Sequence, residues 1–265
     1  MPGLRESIGA RAGDVVAVVG AGGKTTLIYS LAAEARSAGL RVLVTTTTHM
    51  GRLHEAATGP ILIEAETDLE PAMTAGLADQ GLVTLLGRRL RDDKLEGFPP
   101  ERVDALARRA DILLVEADGA RARSLKVPAA HEPVIPRSAT LVVVLAALDV
   151  LDQPLAETCV HRVELVAEAA GKRPGERVDE QVVAAALRHP AGYPARIPAG
   201  ARALVFLNKV EDERSWDAAE RIARELVPPY TGVVAGSARG ATARVLVELG
   251  GAPSHPPDPP RSRRE

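Results

Sequence analysis

The segment VVAVVGAGGKTTLIYSLAAEA, residues 15–35, constrains the fold of this chain more than any other. A β-branched apolar run feeds a turn containing three glycines, and a helical pattern follows at once. Leu27, Leu31 and Ala35 recur every fourth residue with Ile28 beside them, which makes one apolar helix face. Gly39 is placed to close that helix, because glycine takes the left-handed conformation at a C-terminal cap without steric cost. The same rhythm continues downstream. Strands are expected at 14–19, 41–46, 61–64, 82–86, 111–116, 140–146, 202–208 and 232–235. Their near-continuous apolarity means that both faces are covered, as in a mostly parallel sheet flanked by helices, the α/β class.

Residues 1–250 are expected to form a single domain. Between Asp149 and Gly200 the strand rhythm stops and two helical patterns appear, His161–Ala170 and Asp179–His189, which reads as a small helical insertion at about 150–200. From Gly250 the chain runs GGAPSHPPDPPRSRRE, so residues 251–265 are expected to be a disordered proline-rich tail.

Composition narrows the function classes. Thirty-three basic and 35 acidic side chains leave a formal charge of -2, which gives no bulk attraction to nucleic acid or membrane. Aromatic residues make up only 2%, so few platforms exist for stacking bases. The single Cys159 cannot form an internal disulfide, and it reads most simply as a small buried apolar residue. No apolar run is long enough to span a bilayer, and the amino terminus lacks a leader-like apolar stretch, so the expected location is the cytoplasm.

At the carboxyl end of a parallel strand, free backbone amides and the following helix dipole make an anion site. Gly20, Ala21, Gly22, Gly23, Lys24, Thr25 and Thr26 stand there. The glycines allow close backbone approach to phosphate oxygens, Lys24 can reach terminal phosphates and Thr25 offers a hydroxyl to Mg²⁺. Thr26 is expected to begin the helix. The match is imperfect, since the glycine usual five residues before Gly-Lys-Thr is Val18 here; the alternative is a plain strand-to-helix turn. A phosphate loop needs a carboxylate from a neighbouring strand to hold metal-bound water or orient a nucleophile. After Ile112–Val115 come Glu116, Asp118 and Gly119, an acid at a strand tip with a flexible glycine behind it. The alternative is a solvated turn.

Farther on, ALVFLNKVEDE ends a strand in Asn208 and Lys209, similar to the Asn-Lys-x-Asp element that reads guanine in GTP-binding proteins, with Glu211 in place of the aspartate. Ser237 and Ala238 follow the last strand as the guanine-contacting Ser-Ala loop does; each also reads as a helix cap or a surface turn. The four elements stand in the order of a P-loop GTPase. GTP against ATP stays open, with Mg²⁺ as the implied cofactor.

With VVGAGGKTTL, VTTTTHM, LLVEADGARARSLKVPAAHEPVIP, VHRVEL and FLNKVED in place, the chain to about Gly250 resembles the YqeC family, the selenium-dependent hydroxylase accessory proteins. The resemblance implies a P-loop NTPase fold and a role in maturing a selenium-dependent molybdenum hydroxylase, with that enzyme or its maturation machinery as partner. GxxGKTT loops also occur in Mur-type peptide ligases, so phosphoryl transfer to a small acceptor stands as an alternative, as does a nucleotide-switched binding module.

Thr47, Thr48 and His49 close the second strand and could meet phosphate, Mg²⁺ or a second substrate; the plain reading is a strand end. His49 with His54 does not have helical metal-ligand spacing. Arg121, Arg123 and Lys126 follow the Glu-x-x-Gly turn as a switch or a source of transition-state charge, or as a solvated loop. His131 and Glu132 belong to the HEPVIP motif, where the resemblance implies a functional loop and the residues alone imply a proline-fixed turn. His161 and Arg162 are expected to open a helix, where basic residues oppose the dipole.

Overall fold

The computed structural model describes residues 3–51, 58–91 and 94–248. His54 and the 251–265 tail lie outside the described residues. The first half contains α1 (Leu4–Ile8), β1 (Val15–Gly20), α2 (Lys24–Ser37), β2 (Val42–Thr46), β3 (His49–Gly51), β4 (Ile61–Ile63), α3 (Leu69–Gln80), β5 (Leu82–Leu86), β6 (Arg88–Arg91), β7 (Lys94–Glu96), α4 (Pro100–Leu106) and β8 (Ile112–Glu116). Then follow β9 (Leu125–Lys126), β10 (Leu141–Ala147), β11 (Val160–His161), α5 (Val163–Ala170), α6 (Glu180–Arg188), β12 (Arg202–Asn208), α7 (Glu213–Leu226), β13 (Gly232–Ser237) and β14 (Thr242–Glu248).

Nine strands form the main sheet in the order β14-β13-β12-β10-β1-β8-β2-β5-β4. Every neighbouring pair is parallel except β13 and β14. Because side chains alternate across a strand, β1 feeds two cores. Val15, Ala17 and Val19 pack with residues of α3 to α7, whereas Val16 and Val18 pack with α1 and α2. Strands covered on both sides in this way read as continuous apolar runs, which is why they were legible. The fold is a mostly parallel α/β sheet flanked by helices, with the glycine turn at the carboxyl end of its central strand.

Helix α2 buries the face formed by Leu27, Ile28, Leu31 and Ala35. It ends in a paired closure: Leu40 N–H donates to Ala35 O at 3.1 Å and Gly39 N–H to Arg36 O at 2.9 Å. Gly39 has φ +80°, the left-handed value that this closure requires. The helix starts at Lys24 rather than Thr26. Glycine at 23, with φ 118°, stands just outside the helix, so the turn tightens two residues earlier than expected.

Residues 150–200 hold helices α5 and α6, the second capped by Asp179, whose carboxylate accepts from Val182 N–H. Val163 and Val166 of α5 and Val182, Val183 and Leu187 of α6 share one apolar cluster with the β1 face. The expected helix from His161 is corrected. His161 lies in the short strand β11, paired with Lys126 of β9, and α5 begins at Val163. A two-residue strand has too little periodicity to be distinguished from the helix that follows it.

Candidate functional site

The glycine turn is shaped by its neighbours. Gly20, Gly22 and Gly23 have φ of 98°, 89° and 118°, all left-handed. A Cβ on Gly20 would stand 2.1 Å from Leu145 O, and one on Gly22 2.3 Å from Ala147 Cβ. The turn therefore presses on the end of β10 with no room for a side chain at either place. Gly20 N–H donates to Asp118 Oδ2 at 3.1 Å and Ala21 N–H to Leu145 O at 2.8 Å, so these two amides are committed to the protein. The first backbone bond of α2 is Leu27 N–H to Gly23 O at 2.9 Å. The amides of Lys24, Thr25 and Thr26 precede it and form the donor-rich first turn of the helix.

Asn208, at the tip of β12, is buried and clamps this turn. Its Nδ2 donates to Gly22 O at 2.7 Å, and its Oδ1 accepts from Ala238 N–H at 2.9 Å. Ser237 Oγ donates to Glu211 Oε1 at 2.9 Å. Gly20–Thr26, Asn208, Glu211, Ser237 and Ala238 thus converge at one end of the sheet. Lys209 turns outward to an ion pair with Asp149 at 2.5 Å.

Beneath the turn lies a row of alternating charges. Lys24 is only 5% exposed; its Nζ donates to Gly20 O at 2.8 Å and lies 3.2 Å from Asp118 Oδ1 and 3.8 Å from Glu116 Oε1. Thr25 Oγ1 donates to Glu116 Oε2 at 2.8 Å. Asp118 Oδ2 also accepts from Lys126 Nζ at 3.0 Å and from Tyr193 OH at 3.3 Å. Lys126 continues to Gly119 O at 2.5 Å and Glu132 Oε2 at 2.8 Å, and Glu132 meets Arg162 at 3.0 Å. Burial pushes the Glu116 carboxyl above its usual range, against the pull of Lys24 and Thr25. Burial acts on Glu132 in the same direction, but there Lys126 and Arg162 outweigh it and the carboxyl stays below its ordinary value. Burial, then the Asp118 charge, raises the Tyr193 hydroxyl well above normal. Asp118 Oδ1 is buried without a hydrogen bond and faces only the Lys24 charge.

Two cavities flank this row. One of 620 Å³ is lined by Gly23, Thr26, Asp149, Asn208, Lys209 and Ser237, among others. The second, 470 Å³, is bordered by Gly119, Arg121, Arg123, Glu132, His161 and Arg162 among its lining residues.

Some expected residues go elsewhere. Thr47 Oγ1 donates to Val134 O at 2.7 Å, and Thr48 N–H to Thr46 Oγ1 at 3.0 Å, so this strand end braces backbone. Exposed His49 pairs with Glu96 in a separate three-stranded sheet, and exposed His131 lines neither cavity. The solvated-loop reading of Lys126 is corrected, since the side chain is fully buried and fixed between two carboxylates. Its flanking Leu125 and Val127 were the available signal. Tyr193 was missed, because nothing local marks a tyrosine whose partner lies 75 residues away. Cys159 is half-buried rather than buried, with Sγ 3.2 Å from Pro154 O. Among the described residues no group of three or more His, Cys, Asp or Glu side chains is arranged to hold a metal ion, and no helix is long and apolar enough to cross a membrane.

Comparison with known proteins adds the lineage. The uncharacterised protein YqeC of Escherichia coli strain K12 is 35% identical over 197 residues, covering 74% of this chain and 75% of that protein. Among solved structures, FtsY from Mycoplasma mycoides superposes with a TM-score of 0.40 at 12% identity over 88% of this chain. FtsY from Elizabethkingia anophelis in complex with GDP gives 0.29 at 13% identity over 90%. The chain spans 62% and 58% of those FtsY chains, respectively. The YqeC protein family matches residues 16–164, a stretch that holds the glycine turn, both acids and Lys126. The chain belongs to the YqeC family.

Proposed function

We propose that this protein binds a nucleoside triphosphate, GTP or ATP, with Mg²⁺ and hydrolyses it slowly, as a cytoplasmic accessory factor in maturing a selenium-dependent molybdenum hydroxylase. The observation that carries the nucleotide reading is the Thr25–Glu116 hydrogen bond beside the buried Lys24 ammonium. A hydroxyl and a carboxylate in contact at a helix start suit a hydrated hard cation, the hydroxyl directly and the carboxylate through water. Bound there, Mg²⁺ would neutralise phosphate charge. The amides of Gly22 to Thr26 would hold the phosphate oxygens at the positive end of α2. Lys24 would turn from Gly20 O to a terminal phosphate, and Glu116 or Asp118 would orient the attacking water. Gly119 would meet the γ-phosphate end; the cavity beside Asn208, Lys209, Glu211, Ser237 and Ala238 would hold the nucleoside. The accessory role rests on the family.

A second reading, phosphoryl transfer to a small acceptor, is favoured by the cavity that opens at Gly119. Turnover that requires an added acceptor would select it over hydrolysis. The test of the shared core is Lys24→Ala, expected to abolish nucleotide binding or turnover. Unchanged turnover would refute it.

A further inference from the structure

The 470 Å³ cavity has a character of its own. Its size falls within the usual range for small-molecule sites. Three guanidinium groups, those of Arg121, Arg123 and Arg162, border it together with the His161 imidazole. Arg162 spends one nitrogen on Glu132 at 3.0 Å, while its Nε is buried without any partner. A buried donor left unpaired costs free energy, which marks the Arg162 guanidinium as incompletely satisfied within the protein. Arg121, Arg123 and the His161 imidazole form no side-chain hydrogen bond or ion pair among the described residues.

Backbone strain points to the same place. Six described non-glycine residues have φ in the left-handed region, and four of them line one cavity or the other. Arg121, at φ 48°, and Arg162, at φ 62°, are the two that border this one. Non-glycine residues held in that region are strained, and clustering of this kind marks ligand sites. The charges that act on His161 are mostly positive. Burial lowers the His161 pKa, and Lys126, Arg162 and Arg121 lower it further, with only Glu132 opposing. Glu157 and Glu164 also border the cavity, but both are exposed, where water screens them.

We infer that this cavity is a second ligand site, for a small oxyanion carried on a phosphate or a carboxylate group. Arg121, Arg123 and Arg162 bind it by charge, and His161 lies against it. Glu132 and Lys126 hold Arg162 in place and tie the site to Asp118 at the glycine turn. The site does not depend on the nucleotide reading, because none of its binding groups belongs to that turn.

The experiment is NMR of the full chain with labelled histidine, titrated with inorganic phosphate and separately with malonate. A saturable response of the His161 resonance is expected with at least one of them, together with a rise in its pKa, since a nearby anion favours the imidazolium. Response to phosphate alone, to malonate alone, or to both supports the site and names the group it prefers. The exposed or half-exposed substitutions Arg121→Gln and Arg123→Gln, combined, should weaken that response by roughly tenfold or more, with the other histidine resonances reporting an intact fold. No saturable change with either anion, or a response undiminished in that variant, would overturn the inference. Nucleotide titration of the same sample separates the two readings: failure of GTP and ATP to bind leaves a His161 response in force, and the reverse pair of results removes only this site.

Discussion

Thr25 Oγ1 and Glu116 Oε2 are joined by a 2.8 Å hydrogen bond between residues 91 positions apart. The bond brings the first turn of α2 against the tip of β8, so the helix start and the strand acid act as one unit. Thr25→Ala is expected to remove the Mg²⁺ dependence of nucleotide binding, and to cost about 1–3 kcal/mol of stability because Glu116 loses a donor. Thr25→Ser should retain both. Titrations with and without Mg²⁺, beside urea unfolding, check the pair of outcomes.

Two glycines of the site answer to different constraints. Gly22 has φ 89°, and a Cβ there would meet Ala147 Cβ at 2.3 Å. Gly119 has no left-handed φ, and its nearest neighbour would be Thr48 Oγ1 at 3.9 Å. Gly22→Ala should therefore destabilise the fold by more than about 2 kcal/mol. Gly119→Ala should change stability by under about 0.5 kcal/mol while weakening triphosphate more than diphosphate binding. Equal unfolding midpoints for the two variants would contradict this account.

Lys126 bridges Asp118 and Glu132 with its side chain fully buried. Removing one member of a buried ion network leaves charge without compensation, so Lys126→Met should cost about 3–5 kcal/mol. The measurement is the urea midpoint of Lys126→Met against wild type; a loss under about 1 kcal/mol would mean that the row is not held by charge.

This row also shows where sequence reasoning stops. The eight strands first expected lie within a residue or two of observed ones because nearly all are buried on both faces and declare themselves by apolarity alone, the half-buried edge strand β4 being the exception. The β6–β7 hairpin, with its exposed Arg88–Arg91 strand, has no such signature, and β14 exposes most of its residues. The phosphate-loop motif and the Glu-x-x-Gly tip were legible because spacing carries their chemistry. The links through Lys126, Glu132, Arg162 and Tyr193 were not. Each joins residues that read singly as surface or core; Arg162 and Tyr193 reach partners 30 and 75 residues away, and the pairing of β9 with β11 sets Lys126 beside the start of α5.

Asn208 spends its side chain on Gly22 O and Ala238 N–H, which fixes the glycine turn whatever base is bound. Asn208→Ala leaves both groups unpaired in a buried setting, at about 1–3 kcal/mol for each. It should therefore weaken GTP and ATP binding to similar extents. A loss confined to GTP, measured by parallel titrations, would assign the amide to base reading instead.

The most direct test of the central claim is a binding titration of the purified protein with GTP and ATP, each with and without Mg²⁺, run beside Lys24→Ala. The account predicts saturable, Mg²⁺-dependent binding of at least one nucleoside triphosphate by the wild type and its loss in the variant. Absence of binding by either nucleotide, or equal binding by the variant, would contradict it.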